Sequence, residues 1–201
     1  MVLYANRNKY EKFSIKIGSF FAKFGLTPNQ WTYLSLVPAA VSVYFLTQGQ
    51  FINSSIAFII AGFLDVVDGG VARVTGRATK FGAYLDTIVD RFVEGGVILA
   101  LFFVELPSLF LPVQFWLGFY LFGSMMTTYV KAAAKEKELT ERKEIKGGLL
   151  ERAERISLLF LGIFLAGYLN TIYLTYTLIA LSVLANFTAL QRIYIASKLK
   201  N

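Results

Sequence analysis

The 201-residue chain has no cysteine and no histidine. The first absence excludes disulfides, thiolate metal sites and cysteine nucleophiles. The second removes the usual general base near neutral pH and the usual zinc ligand. Any acid–base or metal chemistry must therefore rest on carboxylates. Charge is scarce too: 16% of the residues are charged, against about a quarter in soluble domains. Apolar residues take up 56% of the chain, with 19 Phe and 11 Tyr, more than one soluble core of this size absorbs. This is the composition of an integral membrane protein. The net charge of +7 then marks a cytoplasmic face and not a nucleic-acid partner.

A bilayer-spanning helix needs about 20 mostly apolar residues. Six segments meet that need, at 29–47, 53–73, 82–104, 111–133, 150–168 and 172–196. The connections at 47–52, 105–110 and 168–171 hold no Lys or Arg, whereas the N-terminal arm, the 73–80 and 131–148 connections and the C-terminal tail are basic. That asymmetry puts both termini in the cytoplasm, which an even number of spans requires.

The N-terminal arm reads differently. Tyr10, Phe13, Ile17, Phe20, Phe21 and Phe24 fall within about 100° of a helical wheel, and Lys9, Lys12, Lys16 and Lys23 lie on another side. This predicts an amphipathic helix in the cytoplasmic interface; the lysines interrupt any signal-peptide core. The expected organisation is an all-α membrane protein, with residues 1–26 as the juxtamembrane helix and 27–201 as a six-helix transmembrane domain. At the junction, Thr27 and Gln30 form a capping-box pattern around Pro28, which leaves Asn29 without a role.

Four aspartates carry the chemistry. Asp65 and Asp68 are three apart near the end of the second span, and Asp86 and Asp90 are four apart near the start of the third. Each pair shares a helix face. An aspartate inside a membrane helix costs roughly 2.5–3.5 kcal/mol, so four must face one another, water or a cation. Oxygen-only ligands suit Mg²⁺, Mn²⁺ or Ca²⁺, and two divalent ions sharing the four give the simplest neutral arrangement. Gly69, Gly70, Ala72 and Gly82 clear space for close backbone approach, although Gly70 taken alone reads as a helix-packing position, and Arg73 suits phosphate. Together these residues describe a site for a diphosphate.

The pattern Asp65-x2-Asp68-Gly69-x2-Ala72-Arg73-x8-Gly82-x3-Asp86-x3-Asp90 resembles the signature of the CDP-alcohol phosphotransferase family. The resemblance implies a membrane enzyme that transfers a phosphatidyl-type group from a CDP-linked lipid to an alcohol and releases CMP. It further implies that Asp65, Asp68 and Asp86 bind one Mg²⁺ and Asp68, Asp86 and Asp90 a second, with Mn²⁺ as the alternative ion. Asp90 would also be the general base. Pro28, Asn29, Gln30, Trp31, Gly69, Arg73 and Thr79 match donor-binding positions, and a homodimer is implied.

The acceptor is read from the second half. Lys131, Arg152 and Arg192 come from three predicted helices, all at the cytoplasmic end, where they suit an anionic acceptor. The run from Arg73 to Asp86 and the segment Glu151-Arg152-Ala153-Glu154-Arg155 look like the phosphatidylinositol-phosphate and archaetidylinositol-phosphate synthase branch; that resemblance implies that Lys131, Arg152 and Arg192 bind the phosphate of inositol 1-phosphate. Bacterial members often carry arginine where this chain has Ala133. Arg155 is placed to pair with Glu151. Glycerol 3-phosphate is the alternative acceptor. A divalent-cation transporter is the alternative class, although such a protein would carry midplane sites in broken helices.

Overall fold

The computed structural model describes residues 7–139 and 148–199, with side chains from residue 13 onward in the N-terminal helix. The expected contributions of Lys9, Tyr10 and Lys12 lie outside the described side chains. All regular elements among the described residues are helical: α1 Arg7–Phe21, a 3-10 turn Ala22–Phe24, α2 Pro28–Thr47, α3 Phe51–Val74, α4 Lys80–Leu101, α5 Val113–Glu136, α6 Arg152–Tyr168 and α7 Ile172–Leu199. Each of the six apolar runs thus becomes one helix, α2 to α7. By length and hydropathy, Phe51–Val74 and Ile172–Lys198 qualify as membrane spans. Of the others, α6 has 17 residues, and α4 carries Lys80, Asp86, Asp90, Arg91 and Glu94.

The described residues divide into two compact units, one up to residue 104 and the other from residue 105 onward. Within the first unit α1 lies against α3. Ile17 and Phe21 pack on a core of Trp31, Val67 and Val71, and the Phe21 and Trp31 rings meet edge-on at 5.3 Å. Phe13, Phe20 and Phe24 stay exposed. The apolar arc of the wheel is thus split between a protein-facing and an outward-facing half.

In the first unit α2 packs against both α3 and α4. Ser42 and Ser54 hydrogen-bond at 2.8 Å where α2 meets α3, a buried polar link typical of helices in lipid. The start of α2 follows the capping-box pattern: the Thr27 hydroxyl accepts from the Gln30 amide at 3.3 Å, and the Gln30 side chain accepts from the Thr27 amide at 2.7 Å. In the second unit α7 packs on α5 and α6. The Asn186 side chain donates to the Phe119 and Ser182 carbonyls, both at 2.8 Å.

Candidate active site

The aspartates sit where α3 and α4 approach the turn that joins them. Thr79 opens α4 as its N-cap, its hydroxyl accepting from the Gly82 amide at 2.9 Å. A Cβ at Gly82 would come within 3.1 Å of both the Asn29 and Thr79 side-chain oxygens, so the missing side chain lets the starts of α2 and α4 converge. That convergence closes a cavity of about 210 Å³ whose lining includes Pro28, Asn29, Thr32, Asp68, Gly69, Arg73, Arg77, Thr79 and Asp86.

Carboxylate oxygens of Asp65, Asp68 and Asp86 lie within 4.8 Å of one another. Three hard oxygen donors at that spacing fit a divalent cation such as Mg²⁺ or Mn²⁺. Asp68 is buried, and its Oδ2 accepts a 2.6 Å hydrogen bond from the Thr32 hydroxyl of α2, which also reaches the Pro28 carbonyl at 3.2 Å. Thr32 therefore aims the carboxylate. Asp90, one turn along α4 from Asp86, is buried beyond this triad. A further turn on, Glu94 is only 1% exposed and pairs with Arg91 at 2.7 Å.

Arg73 is held in place from outside the motif. Its Nη2 donates to the Ser14 hydroxyl of α1, and its guanidinium lies over Gly69, 3.3 Å from where a Cβ would stand. A side chain at Gly69 would displace it. Of the four residues expected at the start of α2, Pro28 and Asn29 line the cavity. Gln30 is exposed and engaged in the cap, and Trp31 is buried in the core beneath α1.

Two basic residues of the second unit meet at Thr127 on α5. Arg192 of α7 donates from Nη1 to the Thr127 carbonyl at 2.6 Å. Arg155 of α6 donates to the Thr127 hydroxyl at 3.3 Å. Arg155 is only 1% exposed, so it points inward and not along the helix surface toward Glu151. The Glu151 side chain instead caps α6 in a box with Glu154. Lys131 follows Thr127 by one turn on α5 and is exposed, and Arg152 opens α6 half-buried.

Thr32, Ser14, Glu94 and Arg155 were not identified as site residues from the sequence. Arg155 and Glu94 had a readable signal, each being a charge inside an apolar helical run. Ser14 and Thr32 had none, since a hydroxyl in a helix ordinarily bonds to its own backbone.

A family model described as CDP-alcohol phosphatidyltransferase matches residues 25–190, which take in the cavity and all four aspartates. The chain is 35% identical over 185 residues to the archaetidylinositol phosphate synthase of Pyrococcus horikoshii, covering 91% of this chain and 90% of that one. It superposes on the crystal structure of the Mycobacterium tuberculosis phosphatidylinositol phosphate synthase with CDP-DAG bound, with a TM-score of 0.79 at 24% identity, over 92% of this chain and 94% of that one. The same enzyme in complex with manganese and citrate gives a TM-score of 0.80 at 25% identity, over 92% and 88% of the two chains.

Proposed function

As the chain belongs to the CDP-alcohol phosphatidyltransferase family, we propose that this membrane transferase moves a phosphatidyl-type group from a CDP-linked lipid to inositol 1-phosphate, releasing CMP. The donor is CDP-diacylglycerol or its ether-linked counterpart CDP-archaeol. The observation that carries the reading is one cavity lined by Asp68, Asp86, Arg73 and Arg77, with Asp65 completing the carboxylate triad. Acidic ligands beside guanidinium groups suit a metal-bound diphosphate better than either would alone.

Asp65, Asp68 and Asp86 would hold one divalent ion and Asp68, Asp86 and Asp90 a second; when bound, the ions neutralise the diphosphate and stabilise the departing CMP. Thr32 orients Asp68, so the triad is set before the donor arrives. Gly69 leaves the backbone bare beneath the diphosphate, and Arg73 binds its oxygens through paired hydrogen bonds. Pro28 and Asn29 border the nucleotide, with Gln30 and Trp31 fixing the start of α2 behind them. Thr79 holds the start of α4 beside the donor. Asp90 takes the proton from the attacking hydroxyl as its oxygen bonds to the β-phosphorus, and the bond to CMP breaks. Most of the rate enhancement in such a transfer comes from positioning and electrostatics. Lys131, Arg152 and Arg192 bind the acceptor's phosphate, joined by Arg155, which shares Thr127 with Arg192.

The helices α2 to α7 span the bilayer, α1 lies along its cytoplasmic interface, and the cavity and both termini face the cytoplasm. The Lys/Arg asymmetry of the connections supports this orientation. Two copies pair as a homodimer, as the family resemblance implies.

The test is CMP release by purified protein from CDP-diacylglycerol and Mg²⁺, with labelled inositol 1-phosphate or glycerol 3-phosphate. Product from inositol 1-phosphate is expected. Product from glycerol 3-phosphate alone would make the protein a phosphatidylglycerol phosphate synthase. Asp90→Asn should lower release by at least about a hundredfold, with donor binding retained; undiminished release would exclude Asp90 as the base.

A further inference from the structure

The interfacial helix contains one residue that its amphipathic pattern does not account for. Ser14 is 6% exposed, while its neighbours Phe13, Ile15 and Lys16 are all exposed. A membrane anchor needs no buried hydroxyl. The Ser14 hydroxyl lies 3.4 Å from the Val66 carbonyl of α3, to which it donates, and it accepts from the Arg73 guanidinium.

The contact is held in register by two glycines. Gly18, one turn further along α1, faces Gly70, one turn beyond Val66 on α3. A Cβ on Gly18 would collide with the Gly70 backbone, and a Cβ on Gly70 would meet the Ser14 carbonyl and the Gly18 backbone. The two helices are thus as close as bare backbones allow, and that closeness brings the Ser14 oxygen within reach of Arg73. Arginine has many rotamers, and fixing one of them before a ligand arrives improves affinity by reducing the ordering cost of binding.

We propose that Ser14 is a positioning residue for the CDP-linked donor: it holds Arg73 over Gly69, facing the diphosphate, and makes α1 a wall of the site as well as an anchor. This rests on the reading that the cavity takes a CDP-linked donor. It is independent of which alcohol is the acceptor.

The experiment measures CDP-diacylglycerol binding to detergent-solubilised protein with Mg²⁺, alongside steady-state kinetics. The variants are Ser14→Ala, Ser14→Cys, Arg73→Ala and the double variant Ser14→Ala/Arg73→Ala. Cysteine keeps the shape of serine with a somewhat larger atom at the tip, fills the site where alanine leaves it empty, and accepts hydrogen bonds weakly, so comparing Ser14→Cys with Ser14→Ala separates bonding from packing. Both Ser14 variants should raise the donor Kd about tenfold, the cost of a hydrogen bond to a charged group, with the acceptor KM unchanged and the thermal midpoint preserved in Ser14→Cys. In the Arg73→Ala background, Ser14→Ala should add nothing.

An equal loss in both backgrounds would overturn the assignment, as would a wild-type donor affinity in Ser14→Cys. Wild-type protein that binds the donor yet ignores inositol 1-phosphate would refute the acceptor and leave Ser14 in its role. Failure of the wild type to bind the donor at all would refute both.

Discussion

The Thr32 hydroxyl shows how much of the site depends on residues that coordinate nothing. It donates to the buried Asp68 at 2.6 Å, fixing one member of a triad whose other members belong to α3 and α4. Thr32→Val keeps the shape and removes the bond. Partners behind a metal ligand are typically worth about 10–100-fold in metal affinity or activity. The expected result is a rise of that order in the Mg²⁺ concentration for half-maximal CMP release, with saturating Mg²⁺ restoring part of the rate. An unchanged Mg²⁺ requirement would show that Asp68 needs no such support. The aspartates were legible in the sequence because charge in an apolar helix is costly and their spacing places each pair on one face. Thr32 was not, because nothing in a single sequence says which of many helical hydroxyls also reaches a side chain on a neighbouring helix. Arg155 is a related case. Its spacing from Glu151 suits a surface pair, but the tertiary fold turns the guanidinium inward to Thr127.

At the scale of elements, the six apolar runs of the sequence each became a helix, with ends shifted by a few residues, because backbone groups in an apolar setting must be satisfied within the helix. The N-cap at Thr27 followed its local pattern as well. The α1–α3 contact was not legible: Gly70 reads as an ordinary small residue for helix packing, and Gly18 lies in a helix assigned only to the interface. Gly70→Ala tests the contact. The added methyl meets the Ser14 carbonyl and the Gly18 backbone, neither of which can swing aside as a side chain would. Overpacking of this kind costs about 1–3 kcal/mol, so the thermal midpoint in detergent should fall. Loosened α1 should also be cut faster by trypsin at the exposed Lys16 and Lys23. Unaltered cleavage would mean that α1 holds on without the glycine contact.

For the whole molecule, the strongest sequence-level statement was orientation, drawn from where Lys and Arg are absent. It is open to a direct experiment because the chain has no cysteine to remove first. Single cysteines at Gln48, in the uncharged turn after α2, and at Lys80, at the start of α4, are both at exposed positions. A membrane-impermeant maleimide applied to intact cells should label Gln48→Cys and should reach Lys80→Cys only after permeabilisation. The reverse pattern would invert the topology. The division into two units at residue 104 was not legible, since hydropathy reports where a helix runs and says nothing about which neighbours it packs on.

Ser14 meets Val66 across 52 positions of sequence, which has a consequence for biosynthesis. The glycine contact of α1 has no partner until α3 has been synthesised. During that interval Arg73, at the end of α3, has not yet been translated. The Ser14–Arg73 bond is therefore postponed by the order of synthesis, and a fragment that stops before residue 73 cannot form it.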